Sequence, residues 1–376
     1  MNNSGRILFD EKFMQRCFKL ALKGAGNVSP NPLVGCVIVK NGKIISEGWH
    51  KKYGGFHAER DAITKAFKKG ISLKGSTLYV NLEPCSHYGK TPPCSDLIIE
   101  NKISEVVIGC RDPYKEVSGK GIRKLKKAGI KVKTGILETD AAELNKFFIK
   151  YVTTGLPYIT LKAAQTIDGK IADDTYRSKW ISSPESRKTV HKLRAVYDAV
   201  LTGTNTVIYD DPKLNVRGVK GRDPYRIVID KNLKFKEKYK VFKYTDGKTI
   251  VLFSEKTDNK KIADYPGDGI TFIPCKVKNG RLDLRDAMKK LAQMNIASIM
   301  VEGGSFTYNE FLKNEMADEV MIFVAPKIMG KGIKAFNEKL LFGRFTDAEY
   351  SASGTDLLVN LRKNISREDA KTQKKG

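Results

Sequence analysis

Apolar residues at Phe13, Cys17, Leu20 and Ala21 recur at helical spacing behind Asp10, which predicts a helix capped by Asp10. Two strand-like runs, VGCVIVK (34–40) and KIISEGW (43–49), flank Asn41-Gly42, the dipeptide favoured by a two-residue hairpin turn. A helix is predicted from about His57 to Lys69, stopping at Gly70, then a strand at TLYVNL (77–82) and a helix beginning near Cys94. EVVIGC (105–110) reads as a strand, GIRKLKKAG as a helix, IKVKTG as a strand, and about 139–150 as a helix. The alternation resumes after Gly155-Leu156-Pro157. YITLKAA, DAVLTG, YRIVID, TIVLF, ASIMVEGG and DEVMIFVAP read as strands, with helices after Ser183-Pro184 and over 282–295. Strands interleaved with helices in both halves predict two α/β domains, residues 1–152 and 153–363, followed by a flexible basic tail at 364–376. The stretch 219–248 carries ten Lys/Arg and four Asp/Glu, which predicts a solvated insertion or hairpin.

The length of 376 residues suits two domains, and 41% hydrophobic residues are enough to build their cores. No run of 18 apolar residues predicts a membrane-spanning helix, and the N-terminal MNNSGRILFDEKF lacks the apolar stretch of a secretory signal. Six cysteines in so long a chain do not make a disulfide scaffold. A reducing cytoplasm is expected, with paired cysteines read as metal ligands. The net charge of +26 suits a nucleic-acid binder, but the lysines are spread without one basic block or interleaved aromatics. Nucleic acid is therefore not the expected partner, and a phosphorylated small substrate would suit the same surface.

The chemistry concentrates at His57-Ala58-Glu59, Glu83-Pro84-Cys85 and Cys94. One imidazole and two thiolates form a donor set for zinc that leaves one coordination position open. Zinc with an open position lowers the pKa of water from about 15.7 to about 7. Glu59, two residues after His57, is placed to shuttle a proton from that water to a leaving amine. This order of His, Glu and two Cys is the signature of zinc nucleobase deaminases. Deaminases acting on nucleic-acid bases and free nucleosides space the two cysteines by two residues, whereas eight separate Cys85 from Cys94. His87 and Lys90 on that longer loop could meet a phosphate or a pyrimidine edge. A tRNA base deaminase with an appended domain is the alternative enzyme. A zinc-stabilised RNA-binding protein, which would need neither Glu59 nor an open position, is the non-enzymatic one.

The run from Pro30 to Gly35, His57-Ala58-Glu59, and the run from Glu83 to Cys94 resemble the deaminase half of the bifunctional riboflavin-biosynthesis deaminase–reductases. Matching pieces follow at Leu161-Lys162, Ile167-Asp168-Gly169, Trp180 to Pro184, Asp210-Asp211-Pro212 and Val301 to Gly304, so that the resemblance spans about 5–362. It implies a cytidine-deaminase-like domain followed by a dihydrofolate-reductase-like α/β domain. It also implies two cofactors, zinc and NADPH, and two reactions. The first is hydrolytic deamination of 2,5-diamino-6-ribosylamino-4(3H)-pyrimidinone 5′-phosphate; the second is reduction of its ribosyl group to ribityl. By the match His57, Cys85 and Cys94 hold zinc and Glu59 moves the proton. Asn31 either hydrogen-bonds the pyrimidine or caps its loop.

In the second half, no G-x-G-x-x-G fingerprint is present. Instead Glu302-Gly303-Gly304-Ser305 lies between a strand and a helical stretch, where backbone N–H groups can approach a phosphate. Glu302 would bind substrate hydroxyls. The resemblance implies cofactor contacts at Ala164, Trp180, Thr206, Asp210, Gly303, Gly304 and Ser305, with Trp180 equally readable as a core aromatic. It implies substrate contacts at Ser178, Arg194, Leu214 and Arg217, the two guanidinium forks suiting a phosphate. Lys162 and Asp168 are candidates to protonate or polarise the reduced carbon, although Asp168-Gly169 also suits a turn. Deaminase-like folds often share a pocket across subunits, so a homo-oligomer is expected.

Overall fold

The protein is described from a computed structural model covering residues 3–86, 88, 92–114, 117–236, 239–265, 267–336 and 345–363. His87, Lys90 and the 364–376 tail lie outside the described residues. No helix among the described residues is long and apolar enough to cross a membrane. The chain divides into two compact units, Met1–Leu156 and Pro157–Gly376.

The first unit opens with α1 (Asn3–Ala21), the hairpin β1 (Gly35–Lys40) and β2 (Lys43–Trp49), and α2 (Ala58–Lys68). It continues with β3 (Thr77–Leu82), α3 (Cys94–Glu100), β4 (Glu105–Cys110), α4 (Lys120–Lys127) and β5 (Lys131–Thr134). Two short helices, α5 (Glu138–Leu144) and α6 (Lys146–Thr154), close it. The sheet order is β2-β1-β3-β4-β5, with β2-β1-β3 antiparallel and β3-β4-β5 parallel. Asn41 and Gly42 both take positive φ, as a primed hairpin turn requires.

Alternation along the strands sorts the core into two layers. Cys36, Ile38, Leu78, Val80, Val106 and Ile108 face Ala62, Ile63 and Ala66 of α2 and Ile98 of α3. Val37, Val39, Tyr79 and Val107 face Phe13, Met14, Cys17 and Leu20 of α1. Asp10 does not cap α1, which begins a turn and more earlier. It is buried inside the helix, where its carboxylate accepts from Tyr79 Oη at 2.8 Å and Lys133 Nζ at 2.7 Å. The helix expected over 139–150 is broken at Asn145, whose side chain accepts from the Leu33 N–H at 2.8 Å and donates to the Leu33 carbonyl at 3.1 Å. Its second piece runs past 152 to Thr154, so the division falls after Leu156.

The second unit begins with β6 (Tyr158–Thr166), β7 (Lys170–Ala172), α7 (Pro184–Val196), β8 (Ala199–Gly203), α8 (Thr204–Asp210) and β9 (Tyr225–Ile229). Next come β10 (Thr249–Ser254), α9 (Lys260–Ala263), β11 (Ile270–Cys275), β12 (Val277–Lys278), β13 (Arg281–Leu282) and α10 (Leu284–Gln293). It ends with β14 (Ser298–Val301), α11 (Ser305–Lys313), β15 (Glu319–Ala325), β16 (Ile333–Lys334), β17 (Phe345–Ser353) and β18 (Asp356–Lys363). Its large sheet has the order β11-β10-β9-β8-β14-β6-β15-β18-β17. The first seven strands are parallel and the last two pairings antiparallel. The parallel strands are buried apolar runs, such as Ala199-Val200-Leu201 and Ile299-Met300-Val301. The 219–248 stretch is not a solvated insertion. It supplies β9 and the buried Phe235, Val241 and Phe242. Arg226, fully buried on β9, donates to Thr249 Oγ1 at 3.1 Å, pairs with Asp246 and stacks on Tyr244. Lysines at its exposed turns mask this pattern in the sequence.

Helix α2 approaches β2 at Gly48, where an added Cβ would stand 2.4 Å from both the Ala58 carbonyl oxygen and the Ala62 nitrogen. Gly48→Ala is expected to destabilise the first unit by about 1–3 kcal/mol, lowering its Tm by roughly 2–10 °C in a thermal melt.

Candidate active sites

In the first unit three elements deliver the cluster. His57 is the N-cap of α2, with extended backbone at φ −66° and ψ 159°. Cys85 follows β3, and Cys94 is the first residue of α3. The Cys94 N–H donates to Cys85 Sγ at 3.3 Å and the Ser95 N–H to the Cys85 carbonyl at 3.1 Å, locking the two cysteines together. Both Sγ atoms lie 3.5 Å from His57 Nδ1, and the three ligand atoms fall within 4.8 Å of one another. A tetrahedral zinc with ordinary Zn–S and Zn–N bonds sets sulfur and nitrogen about 3.6 Å apart, so the donor set fits that ion in both chemistry and spacing. Hydrogen bonds from Cys94 and His57 hold the Cys85 thiol well below its ordinary range, while Cys94 is pushed up by the same contact with Cys85 and by burial.

Glu59 is only 3% exposed, and burial pushes its carboxyl up to about 7 against the opposing pull of His57. Next to the cluster, the buried His50 lies edge-on to His57 with ring centroids 5.7 Å apart. Burial lowers its pKa and keeps it neutral. Its Nδ1–H donates to the Phe56 carbonyl at 2.9 Å, and its Nε2 accepts from Asn31 Nδ2 at 3.2 Å. That contact sets which way the Asn31 amide faces. Glu83 accepts from the N–H groups of Asp112, Gly119 and Ile122 at 3.3, 2.9 and 3.1 Å, tying the loop after β4 and the start of α4 beside Cys85.

In the second unit a cleft of about 1000 Å³ opens between β8 and β14, at the carboxyl ends of the parallel strands. Two strand–glycine–helix turns frame it, Gly203 leading into α8 and Gly304 into α11. An added Cβ on Gly303 would stand 2.7 Å from Thr307 Cβ, so only glycine allows this turn to lie so close to α11. The lining brings together Lys162, Ala164, Ser178, Trp180, Arg194, Thr206, Asp210, Leu214, Arg217, Glu302, Gly303, Gly304 and Ser305.

At the cleft floor, Arg194 Nε and Nη2 donate to the two Glu302 oxygens at 2.6 and 2.9 Å, and Lys162 Nζ lies 3.9 Å from the same carboxylate. The Arg194 and Lys162 charges overcome burial and hold Glu302 down at about 2, while burial pulls Lys162 below its ordinary value. At the rim, Ser178 Oγ donates to Asp210 Oδ1 at 2.6 Å and Tyr176 stacks on Tyr209 with centroids 4.2 Å apart, joining the 173–182 loop to α8.

Residues 8–110 match the cytidine and deoxycytidylate deaminase zinc-binding region, and residues 157–359 match the RibD C-terminal domain. The riboflavin biosynthesis protein RibD of Aquifex aeolicus is 46% identical over 325 residues, covering 86% of this chain and 89% of that protein. RibD of Escherichia coli strain K12 is 39% identical, covering 85% and 89%. A diaminohydroxyphosphoribosylaminopyrimidine deaminase/5-amino-6-(5-phosphoribosylamino)uracil reductase from Thermotoga maritima superposes with a TM-score of 0.85 at 41% identity, over 95% of this chain and 99% of that one. Acinetobacter baumannii RibD superposes with a TM-score of 0.84 at 34% identity, over 95% and 99%. The chain belongs to the RibD family of bifunctional deaminase–reductases.

Zinc and NADPH are the cofactors of the two RibD domains. The match over 157–359 also assigns the second unit to a reductase, so the appended nucleic-acid-binding domain of the alternative reading has no place. Trp180, 67% exposed with the Arg187 guanidinium 4.7 Å above its ring, is not a core aromatic. Arg194 forms half of a buried ion pair with Glu302. Asp168 stands apart from the cleft lining. Its carboxylate accepts from the N–H groups of Gly330 at 2.8 Å and Met329 at 3.2 Å, so it builds a turn and is not a proton donor to the reduced carbon. His50 escapes sequence reasoning, since neither spacing nor composition distinguishes a positioning group from an ordinary core residue, and Glu83, named there only as part of its motif, gives no local sign of the N–H groups it binds.

Glu302 is held down at about 2 by Arg194 and Lys162, so its stabilising contribution is complete above its ordinary value of 4.5 and is lost as pH falls toward 2. Glu302→Gln is expected to cost roughly 3 kcal/mol at pH 7 in denaturant unfolding, and less than half of that at pH 3.

Proposed function

We propose that the first unit removes the amino group of 2,5-diamino-6-ribosylamino-4(3H)-pyrimidinone 5′-phosphate and that the second reduces the ribosyl group of the product to ribityl. The observation that carries this reading is the His57–Cys85–Cys94 cluster beside a buried Glu59, on a chain whose other unit holds a glycine-framed cleft with a buried arginine. Held by His57, Cys85 and Cys94, zinc supplies the Lewis acidity that makes water a nucleophile at neutral pH. Glu59 takes a proton from that water as it attacks the amine-bearing carbon and returns it to the departing nitrogen, while the second water proton passes to the adjacent ring nitrogen, so that N=C–NH2 and water become HN–C=O and ammonia. Asn31, aimed by His50, holds the pyrimidine edge.

In the second unit NADPH supplies the hydride. The N–H groups of Gly303, Gly304 and Ser305 open the α11 N-terminus to its phosphates, with Thr206, Asp210, Ala164 and Trp180 along the same ligand. Arg194, after its bonds to Glu302 and Asn215, keeps further N–H groups for the substrate phosphate, alongside Arg217. Leu214 and Ser178 line the sugar. Glu302 accepts from sugar hydroxyls while it holds Arg194. Lys162, buried beside Glu302, delivers the proton that accompanies reduction at the sugar carbon. The reading makes the protein a cytoplasmic enzyme, consistent with its six free cysteines, and an assembly of identical chains.

Supplying the pyrimidine phosphate without NADPH should yield ammonia and the deaminated ribosyl product, and adding NADPH should yield the ribityl product. Glu59→Gln is expected to retain zinc, to reduce the pre-deaminated substrate normally, and to slow ammonia release by roughly 10²–10⁴-fold. Ammonia release at the parent rate would remove Glu59 from the mechanism.

A further inference from the structure

Helix α7 presents two residues, His191 and Arg194, one turn apart on the wall of the reductase cleft. Both grip the same segment of chain. Arg194 Nη1 donates to the Asn215 carbonyl at 2.8 Å, and the Arg217 backbone N–H donates to His191 Nδ1 at 3.2 Å. Between them the Val216 N–H donates to Asp223 Oδ1 at 2.8 Å. The segment also carries Leu214 at a positive φ of 51° and an Arg217 side chain bonded to Asn215 Oδ1. A backbone N–H can only donate, so Nδ1 must be unprotonated and the ring proton must sit on Nε2.

The surroundings enforce that state. Burial, then the charges of Arg194 and Arg217, lower the pKa of His191 to about 4, while Glu302 and the Asn215 carbonyl pull weakly the other way. The imidazole is therefore an acceptor at physiological pH that feels the charges of both Arg194 and Arg217 without adding a third.

We propose that His191 is a positioning residue of the reductase: through its Nδ1 acceptor it fixes the 214–217 segment on α7 and aims the Arg217 guanidinium at the phosphate of the ribosyl substrate. The inference rests on the reading of Arg194 and Arg217 as phosphate ligands. It adds a residue that meets the substrate only through another, and it makes affinity for the phosphate end, not hydride transfer, the quantity that His191 controls.

The test compares His191→Leu, His191→Asn and His191→Gln with Arg217→Ala in the full-length, zinc-loaded protein. The readouts are kcat and KM for the deaminated ribosyl phosphate, KM for NADPH, and competitive inhibition by inorganic phosphate. Asparagine places an oxygen near the Nδ1 position, and glutamine places one near Nε2. His191→Leu is expected to raise the substrate KM roughly tenfold and to weaken inhibition by phosphate in step, as loss of one anchoring hydrogen bond would. It should leave kcat within about twofold and KM for NADPH unchanged, because the hydrogen bond acts on the substrate's phosphate end. His191→Asn should recover most of the loss and His191→Gln should not. A raised KM in Arg217→Ala with a parental KM in His191→Leu overturns this inference alone. Equal rescue by asparagine and glutamine, or parallel losses in kcat and both KM values, also overturns it. An unchanged KM in Arg217→Ala overturns the phosphate reading and this inference together. Should His191→Leu fail to fold, the asparagine–glutamine difference decides the question.

Discussion

A charged or ionisable group taken out of water must be met by a partner, and in both units the partner arrives from a distant part of the chain. Glu302 meets Arg194 across 108 residues. His57 meets Cys85 and Cys94 across 28 and 37. Asp10 meets Tyr79 and Lys133 across 69 and 123. Each pairing ties together elements that no local preference would join, and the first two lie in the candidate sites. The side chains of the candidate sites thus also tie distant elements of the fold together.

Close backbone approach makes these meetings possible. Gly48 lets α2 lie against β2, so that His57 and Glu59 at the helix start reach the end of β3. Gly121 lets α4 pass the Pro84 carbonyl, where a Cβ would stand 2.1 Å away, while Glu83 binds the N–H groups of the same region. Gly303 does the same between β14 and α11. In each case the missing side chain lets a helix or loop lie close beside the neighbouring element, and the sites sit at strand ends because there the backbone stops pairing with itself and can point its polar groups inward.

Much of this was legible beforehand. The Asn41-Gly42 hairpin, α2 ending before Gly70, and the apolar parallel strands follow from turn chemistry and periodicity, which act over a few residues. His57, Cys85 and Cys94 stood out because metal ligation demands particular atoms in a particular order, and Glu59 because a proton shuttle must stand beside them. Asp10, Asn145 and Arg226 misled for one shared reason. Each is a polar residue whose partners (Tyr79, Leu33, Asp246) are remote in sequence, so its local pattern suggested a cap, an unbroken helix or a solvated loop. Asp168 could be either a catalytic acid or a turn former, and the N–H groups of Met329 and Gly330 decided for the turn.

The sequence by itself determined the central strands and main helices, the candidate metal-binding atoms and the glycine turns, because propensity, hydrophobic period and ligand chemistry are properties of short stretches of chain. Tertiary structure alone decided which buried charges neutralise one another, how Glu59, Lys162, His191 and Glu302 shift from their ordinary values, and that Trp180 stands exposed, Arg194 pairs with Glu302 and Asp168 accepts from a turn. Those outcomes depend on desolvation and on distances between groups scores of residues apart, and neither exists until the sheets have closed over them.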